Sequence, residues 1–299
     1  MVSSIQTQIS ENRSKTWFIM GFFILFITMV GLVLGKGLGY GNAWILPAVV
    51  FSSVMTLVSY YWGDRFIMGV SGAKEAKPAD YPLLFRVVER LSKKDNFPEP
   101  MVYVIEENAP NAFATGRDPD HSSICVTIGL LNTLNEGELE GVLAHELSHI
   151  QNYDTRLMAI VSLLVGIVAI FSDWFMRSLF WGRRDNRDEG GAGAIIVVVG
   201  IIFAILSPII ATLIQLAISR RREFLADASG AYLTQHPAYL ASALEKISVD
   251  KHVLRAASSA TAHLYIVNPF KDKNAVVWFS SLFNTHPPIE ERIKILRSM

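Results

Sequence analysis

The chain has a single cysteine, Cys125, among 299 residues. One cysteine cannot close an internal disulfide, so the fold does not depend on an oxidising compartment. Its surroundings, "SSICVTIG", read as a buried strand, where a thiol is a small packed side chain rather than a nucleophile. Charge is also scarce, at 18% of residues, against roughly 25% in a soluble domain. The 27 basic and 27 acidic residues cancel, which leaves no cationic footprint for nucleic acid. Internal repeats and low-complexity tracts are absent.

What the chain has in place of charge is long apolar runs, within a composition that is 51% hydrophobic. Trp17–Gly35, Trp44–Trp62 and Ala194–Ser219 carry no charged residue and reach the roughly 20 residues a bilayer crossing needs. Tryptophan and tyrosine at the ends of the first two suit the membrane interface. Leu157–Phe171 is shorter before Asp173 and Arg177 intervene. It reads as a fourth span, with a buried hairpin helix of the soluble part as the alternative. The first run lacks a small-residue cleavage site in "GKGLGYGNAW" and reads as a retained anchor.

These runs divide the chain into a tail with two spans (1–63), a soluble segment (64–156), a transmembrane hairpin (157–219) and a second soluble segment (220–299). Both soluble segments and the N-terminus then share one face. Arg13, Lys15, Arg65, Lys74 and Arg220–Arg222 flank the membrane there, which favours the cytoplasm. The opposite loop, "GRRDNRDEGGAG", is itself charged. The expected fold is a mainly α integral membrane protein. About four transmembrane helices would carry an α+β zincin-like metalloprotease domain with a small sheet.

In the soluble part, "YPLLFRVVERLSK" from Tyr81 has helical spacing, and "MVYVIEE" and "SSICVTIG" alternate as strands. "APNAFATG" between them fits a short edge strand with a turn. Asn135 with Glu138 three residues on is a capping-box pattern that opens a helix. Further helices are expected through "REFLADASGAYL", over Pro237–Ile247 and over Ile289–Arg297.

The helix opened by Asn135 carries "HELSH". Residues i and i+4 share a helix face, so His145 and His149 can hold one zinc ion through ring nitrogens. Glu146 is rotated about 100° from His145. Its carboxylate then lies beside the metal, suited to take a proton from the attacking water. A catalytic zinc takes a third protein ligand. The metzincin extension is excluded, because Asn152 and Thr155 stand where its glycine and histidine would be. Acidic candidates downstream are Glu189, Glu223, Glu245, Glu290 and Glu291. Glu189 lies in the far-side loop. Glu223 follows the hairpin, whose two ends return to one membrane face, so it can meet His149 across 74 positions. Asp227, one turn on, is placed to accept a hydrogen bond from a ligating histidine. His121, His236, His252 and His263 read as surface or packing residues.

"HELSH", a hydrophobic hairpin, "EFLAD", "NAFATG" and "THPPIEER", in this chain arrangement, resemble the HtpX family of membrane-embedded zinc endopeptidases, relatives of the Ste24-type CAAX proteases. The resemblance runs from about Trp17 to the C-terminus. It implies one zinc per chain on His145, His149 and Glu223, with Glu146 as base. It implies that Asn111, Ala112, Phe113 and Ala114 form an edge strand for substrate backbone, a known mode of peptide recognition. It also implies that His286 and Arg292 lie at the active site. The charge that builds on a carbonyl attacked by water needs a donor besides the metal, so His286 is expected to donate to the oxyanion and Arg292 to orient the cleft. The expected setting is multi-pass in a bacterial inner membrane, with active site and both termini cytoplasmic. The expected work is cleavage of misfolded or damaged membrane proteins. Rival readings are a transporter or scaffold with a structural zinc. A transporter needs polar residues along a pathway through its spans, and the three clean runs have almost none.

Overall fold

The computed structural model describes residues 2–37, 41–164, 166, 220–250, 252, 254, 261, 264–267 and 287–299. Two long helices come first, α1 (Val2–Gly37) and α2 (Ile45–Val70). They pack together through Ile19, Met20, Phe23, Ile67 and Met68, and Trp17 stacks on Tyr60 at 6.2 Å. Among the described residues these are the two helices long and apolar enough to cross a membrane. Only 22% of each apolar window is buried, whereas the core helix of a soluble protein buries most of its apolar face. Trp17, Phe18, Leu25, Leu46 and Val50 are more than half exposed.

The helix α1 starts well before the run that predicts it at Trp17. No glycine or proline interrupts "VSSIQTQISENRSKTW", so nothing stops the helix extending back to Val2. Its 36 residues span about 54 Å, more than a bilayer core of about 30 Å. The polar first turns therefore stand clear of the apolar stretch. Of the other expected spans, the beginning of Leu157–Phe171 is helical and buried in the helix α6 (154–164). The rest of it beyond residue 166, and Ala194–Ser219, lie outside the described residues.

A four-stranded mixed sheet follows, built from β1 (Lys74–Glu75), β2 (Met101–Ile105), β3 (Ala112–Asp118) and β4 (His121–Thr127). Its order is β1-β2-β4-β3. The pairing of β2 with β4 is parallel and the β3–β4 hairpin antiparallel. The intervening β3 is thereby pushed to the edge. The expected strand from Ser122 ends sooner than its pattern suggests. Thr127 accepts a hydrogen bond from the Leu130 amide at 3.1 Å and caps a short helix α4 (Ile128–Thr133). The amphipathic α3 (Pro82–Lys94) buries Leu84, Val87, Val88 and Leu91 against the sheet and α5.

The central element is α5 (Glu136–Gln151), nearly all of it buried. Its amino terminus is the expected capping box: Asn135 Oδ1 accepts from the Glu138 amide, and Glu138 Oε2 accepts from the Asn135 amide, each at 2.9 Å. Glu138 also takes Lys246 at 2.7 Å and Ser242 at 2.8 Å, which ties α5 to α8 (Pro237–Val249). The two helices cross closely at Gly141, where a Cβ would lie 2.6 Å from the Leu240 nitrogen. The helix α7 (Arg220–Thr234) lies along α5, and α9 (Ile289–Arg297) packs on α7 and α8. Asn135→Ala should lower stability by about 1 kcal/mol. Chemical denaturation of the purified protein measures it, and an unchanged midpoint would show that the box does not hold α5.

Candidate metal centre

Helical spacing brings His145 and His149 to a ring-centroid distance of 4.7 Å. Their Nε2 atoms face each other at 3.2 Å. On α7, Gly230 stands where a Cβ would lie 3.0 Å from the His145 nitrogen, so the missing side chain lets α7 approach. That approach delivers Glu223, whose Oε1 is 3.5 Å from His149 Nε2 and whose Oε2 is 3.9 Å from His145 Nε2. All three side chains are buried.

The far side of each ring is committed. His145 Nδ1 lies 2.9 Å from Asp227 Oδ1, and His149 Nδ1 lies 3.0 Å from Asp154 Oδ2. Each Nδ1–H donates to a carboxylate, which fixes the tautomer. In the neutral rings both Nε2 atoms are then acceptors, and they converge with a carboxylate inside 4.8 Å. Three acceptors facing one another out of water repel unless a cation joins them. Two ligands on one tetrahedral zinc ion stand about 3.4 Å apart. Separations of 3.2 and 3.5 Å suit that ion, and the third, 3.9 Å, is somewhat wider. Nitrogen and carboxylate donors in this ratio are those of open, catalytic sites.

A second layer locks this arrangement. Arg292 is fully buried and grips Asp227 with both arms, Nε to Oδ2 at 2.8 Å and Nη2 to Oδ1 at 2.7 Å. Its Nη1 lies 3.6 Å from Glu223 Oε2. Burial pushes the Asp227 carboxyl up, but Arg292 and His145 outweigh it and hold the group below the usual carboxylate range. Glu146 sits among the same charges, and there burial prevails and pushes its carboxyl up. A carboxyl raised towards neutrality is the useful kind for moving a proton. For His149, burial opposes the charged form, yet Asp154 and Glu223 outweigh it and carry the imidazole up to about 9.

Of the acidic candidates, Glu223 reaches the histidines. Glu245 pairs with Arg297 at the surface, Glu290 and Glu291 are exposed, and Glu189 lies outside the described residues, as does His286. His121, His236 and His252 are engaged away from the site, the first and last with Asp118 and Asp250 and the other against Tyr239. Sequence reasoning missed Asp154. Its five-residue separation from His149 fits no helical period. A turn at Asn152 and Tyr153, with Tyr153 in the left-handed region (φ 59°), breaks the helical path and brings Asp154 to the ring.

The segment expected to receive substrate is the start of the edge strand β3. Asn111 O accepts from the Thr127 amide at 3.0 Å, so the backbone groups of Ala112 and Ala114 turn away from β4. Part of that edge is already used. Ile266 N donates to Ala112 O at 3.0 Å, and Asn111 Nδ2 donates to Val267 O at 2.9 Å. Phe113 points inward and meets Tyr265 edge-on at 5.1 Å. Among the described residues, no backbone bond is made on the outward side of Ala114.

A buried pair of i,i+4 histidines, a carboxylate from a second helix and an acid beside them define the class of metal-dependent hydrolases. Residues 78–299 match the family model described as Peptidase family M48, and the chain belongs to that family. It is a metallopeptidase. It is 42% identical over 295 residues to a protein named Protease HtpX homolog from Thermoanaerobacter pseudethanolicus, covering 97% of this chain and 96% of that one. The protein of the same name from Dictyoglomus turgidum is 45% identical over 294 residues, covering 97% of this chain and 93% of the relative. Among solved structures, Ste24p from S. mikatae matches with a TM-score of 0.51 at 21% identity, over 98% of this chain and 67% of that one. At that identity the likeness establishes the fold.

The raised His149 sets a pH dependence. Its folded value, about 9, lies above the ordinary 6.5, so the metal-free protein gains stability from this proton below pH 6.5 and loses it as pH rises through about 9. A metal ion must displace the same proton. Zinc affinity should therefore rise about tenfold per pH unit up to that point. Competition with a chelator across this range measures it, and a flat profile would mean that His149 does not bind the metal.

Proposed function

We propose that the chain is a zinc-dependent endopeptidase, one zinc per chain, held in a bacterial inner membrane by about four helices. The convergence of His145 Nε2, His149 Nε2 and Glu223 around one point, with buried Glu146 beside it, is the observation that carries this reading. Those three residues would hold the ion. When bound, zinc supplies a Lewis acid that makes water a nucleophile near neutral pH and stabilises charge on a polarised carbonyl. Glu146 accepts the proton of the attacking water and passes it to the leaving amine. Asp227 and Asp154 keep both rings in the ligating tautomer, and Arg292 fixes Asp227. The proposed part of His286 is to donate to the oxyanion.

Substrate backbone is proposed to lie along the outward edge of β3, over Asn111–Ala114. The backbone bond that the Ile266 amide already makes to the Ala112 carbonyl supports it, as an instance of a further chain segment pairing with this edge. Membrane proteins, damaged or misfolded, are the proposed substrates. Supporting that choice, the exposed apolar faces of α1 and α2 adjoin the domain that carries the site. The rival reading, a scaffold or transporter with a structural zinc, fits less well. Structural zinc takes four protein ligands, and among the described residues the cluster offers three.

Glu146→Gln should keep a full equivalent of zinc and lose proteolysis of an unfolded protein such as casein by about 10²–10⁴-fold. Glu223→Ala should lose the metal itself. Metal analysis beside the protease assay separates the two, and wild-type turnover by Glu146→Gln would sink the mechanism.

Orientation has its own test in cysteines placed in the 182–193 loop or near Thr155, in a Cys125→Ser background. Cys125 is fully buried, and burial pushes its thiol up, so its loss should cost no reactivity. The loop positions should react with an impermeant thiol reagent outside intact cells, and those near Thr155 should not. The reverse pattern would place the protease on the outer face.

A further inference from the structure

The polar first turns of α1 lie beside the metal centre, and one side chain there is out of character. Glu11 and Arg13 are exposed, but Asn12 between them is 1% exposed. Its Nδ2 donates to Asp154 Oδ1 at 2.7 Å and to the Asn152 carbonyl at 2.9 Å. Its Oδ1 accepts from Arg222 Nη1 at 3.1 Å. The same Nη1 lies 3.4 Å from Asp154 Oδ1. The other oxygen of Asp154 accepts from His149 Nδ1 at 3.0 Å.

This amide joins the two halves of the centre. Through Asp154 it reaches His149 on α5. Through Arg222, the residue preceding Glu223, it reaches α7. Asn12 meets both demands with one planar group, a donor towards the carboxylate and an acceptor towards the guanidinium. A carboxylate at position 12 would repel Asp154, and an apolar side chain would leave buried polar groups without their partner.

We infer that Asn12 is a positioning residue of the metal centre, acting through Asp154 to hold His149 in its ligating tautomer and orientation. It rests on the zinc reading given above. Among the described residues, removing Asn12 leaves Asp154 Oδ1 with Arg222. The carboxylate can then turn towards the guanidinium and release the ring. The first apolar helix is in this way part of the active centre as well as an anchor.

Outer partners of a metal-bound histidine are worth about 10–100-fold in metal affinity. Asn12 stands one bond further out, so its loss should weaken zinc binding by about tenfold, at the low end. The test uses the full-length chain in detergent, with Asn12→Leu, Asp154→Asn, the double variant and Thr16→Val. Thr16 is equally buried one turn along α1, and its hydroxyl bonds the Asn12 carbonyl at 2.8 Å, so Thr16→Val controls for disturbed packing of the helix.

Zinc affinity is read by chelator competition, and the ligand field by the visible spectrum of the cobalt-substituted protein. Asn12→Leu should weaken zinc and shift the cobalt bands, while Thr16→Val should change neither. In the Asp154→Asn background, Asn12→Leu should add less than about twofold, because the path is already cut. Unchanged affinity and spectrum in Asn12→Leu would overturn the inference, and so would an equal loss in both backgrounds. Should Asn12→Leu fail to fold, Asn12→Ser, polar but too short to reach Asp154, is measured in its place. If neither folds, Asn12 is a folding residue and the inference falls. A wild-type chain that takes up no zinc would overturn the metal reading itself, a result distinct from a defect confined to the variants.

Discussion

Two imidazole nitrogens face each other at 3.2 Å with their protons committed elsewhere. Much of the surrounding structure keeps them so. Left alone, two buried acceptors and a carboxylate would turn apart or take up protons. They are held because Asp227 and Asp154 occupy the far side of each ring, and because those carboxylates are gripped in turn by Arg292, Asn12 and Arg222. The arrangement favours positive charge at one point, in addition to the Arg292 guanidinium 3.6 Å from Glu223. A metal ion supplies it, and hydrolysis of a peptide bond uses the result.

Four separate stretches meet at this point: α1, α5 with the turn that follows it, α7 and α9. Close backbone approach makes the meeting feasible. Gly141 lets α8 cross α5, and Gly230 lets α7 lie against His145. The capping box starts α5 at a fixed residue, and Glu138 then serves twice, closing the cap and binding Lys246 and Ser242. A shift of one residue in α5 would turn His145 and His149 by about 100° away from Glu223. The cap is therefore tied to the chemistry as well as to stability.

The membrane-facing part and the catalytic part are not separate modules. Arg13 and Arg156 both sit over the ring of Tyr153, at 4.7 and 4.6 Å. Arg156 also faces Tyr60 on α2. This collar of cations and aromatic rings joins α1 and α2 to the turn that presents Asp154. It also holds Tyr153 in a backbone conformation that costs energy for a residue with a side chain. Catalytic geometry and membrane anchoring thus share one junction.

The sequence by itself determined whatever depends on neighbours along the chain. The i,i+4 histidines, the cap at Asn135, the apolar lengths of α1 and α2 and the helix over Ile289–Arg297 follow from period and local hydrogen bonding. Glu223 was legible one level up, from the expectation that the chain between residues 157 and 219 returns to the face it left. Only the tertiary structure decided the rest. Asp154 reaches His149 through a left-handed turn that no period announces. Asn12 is a polar residue in a polar stretch until α1 is laid on the turn after α5. Arg292 is placed at the active site by the resemblance, not by any local pattern, and its partner Asp227 is settled only when α9 packs on α7. The edge of β3 looks free until residues 266 and 267 pair with it. In each case the deciding contact joins residues far apart in sequence, and local patterns carry no record of which distant partner a side chain will meet.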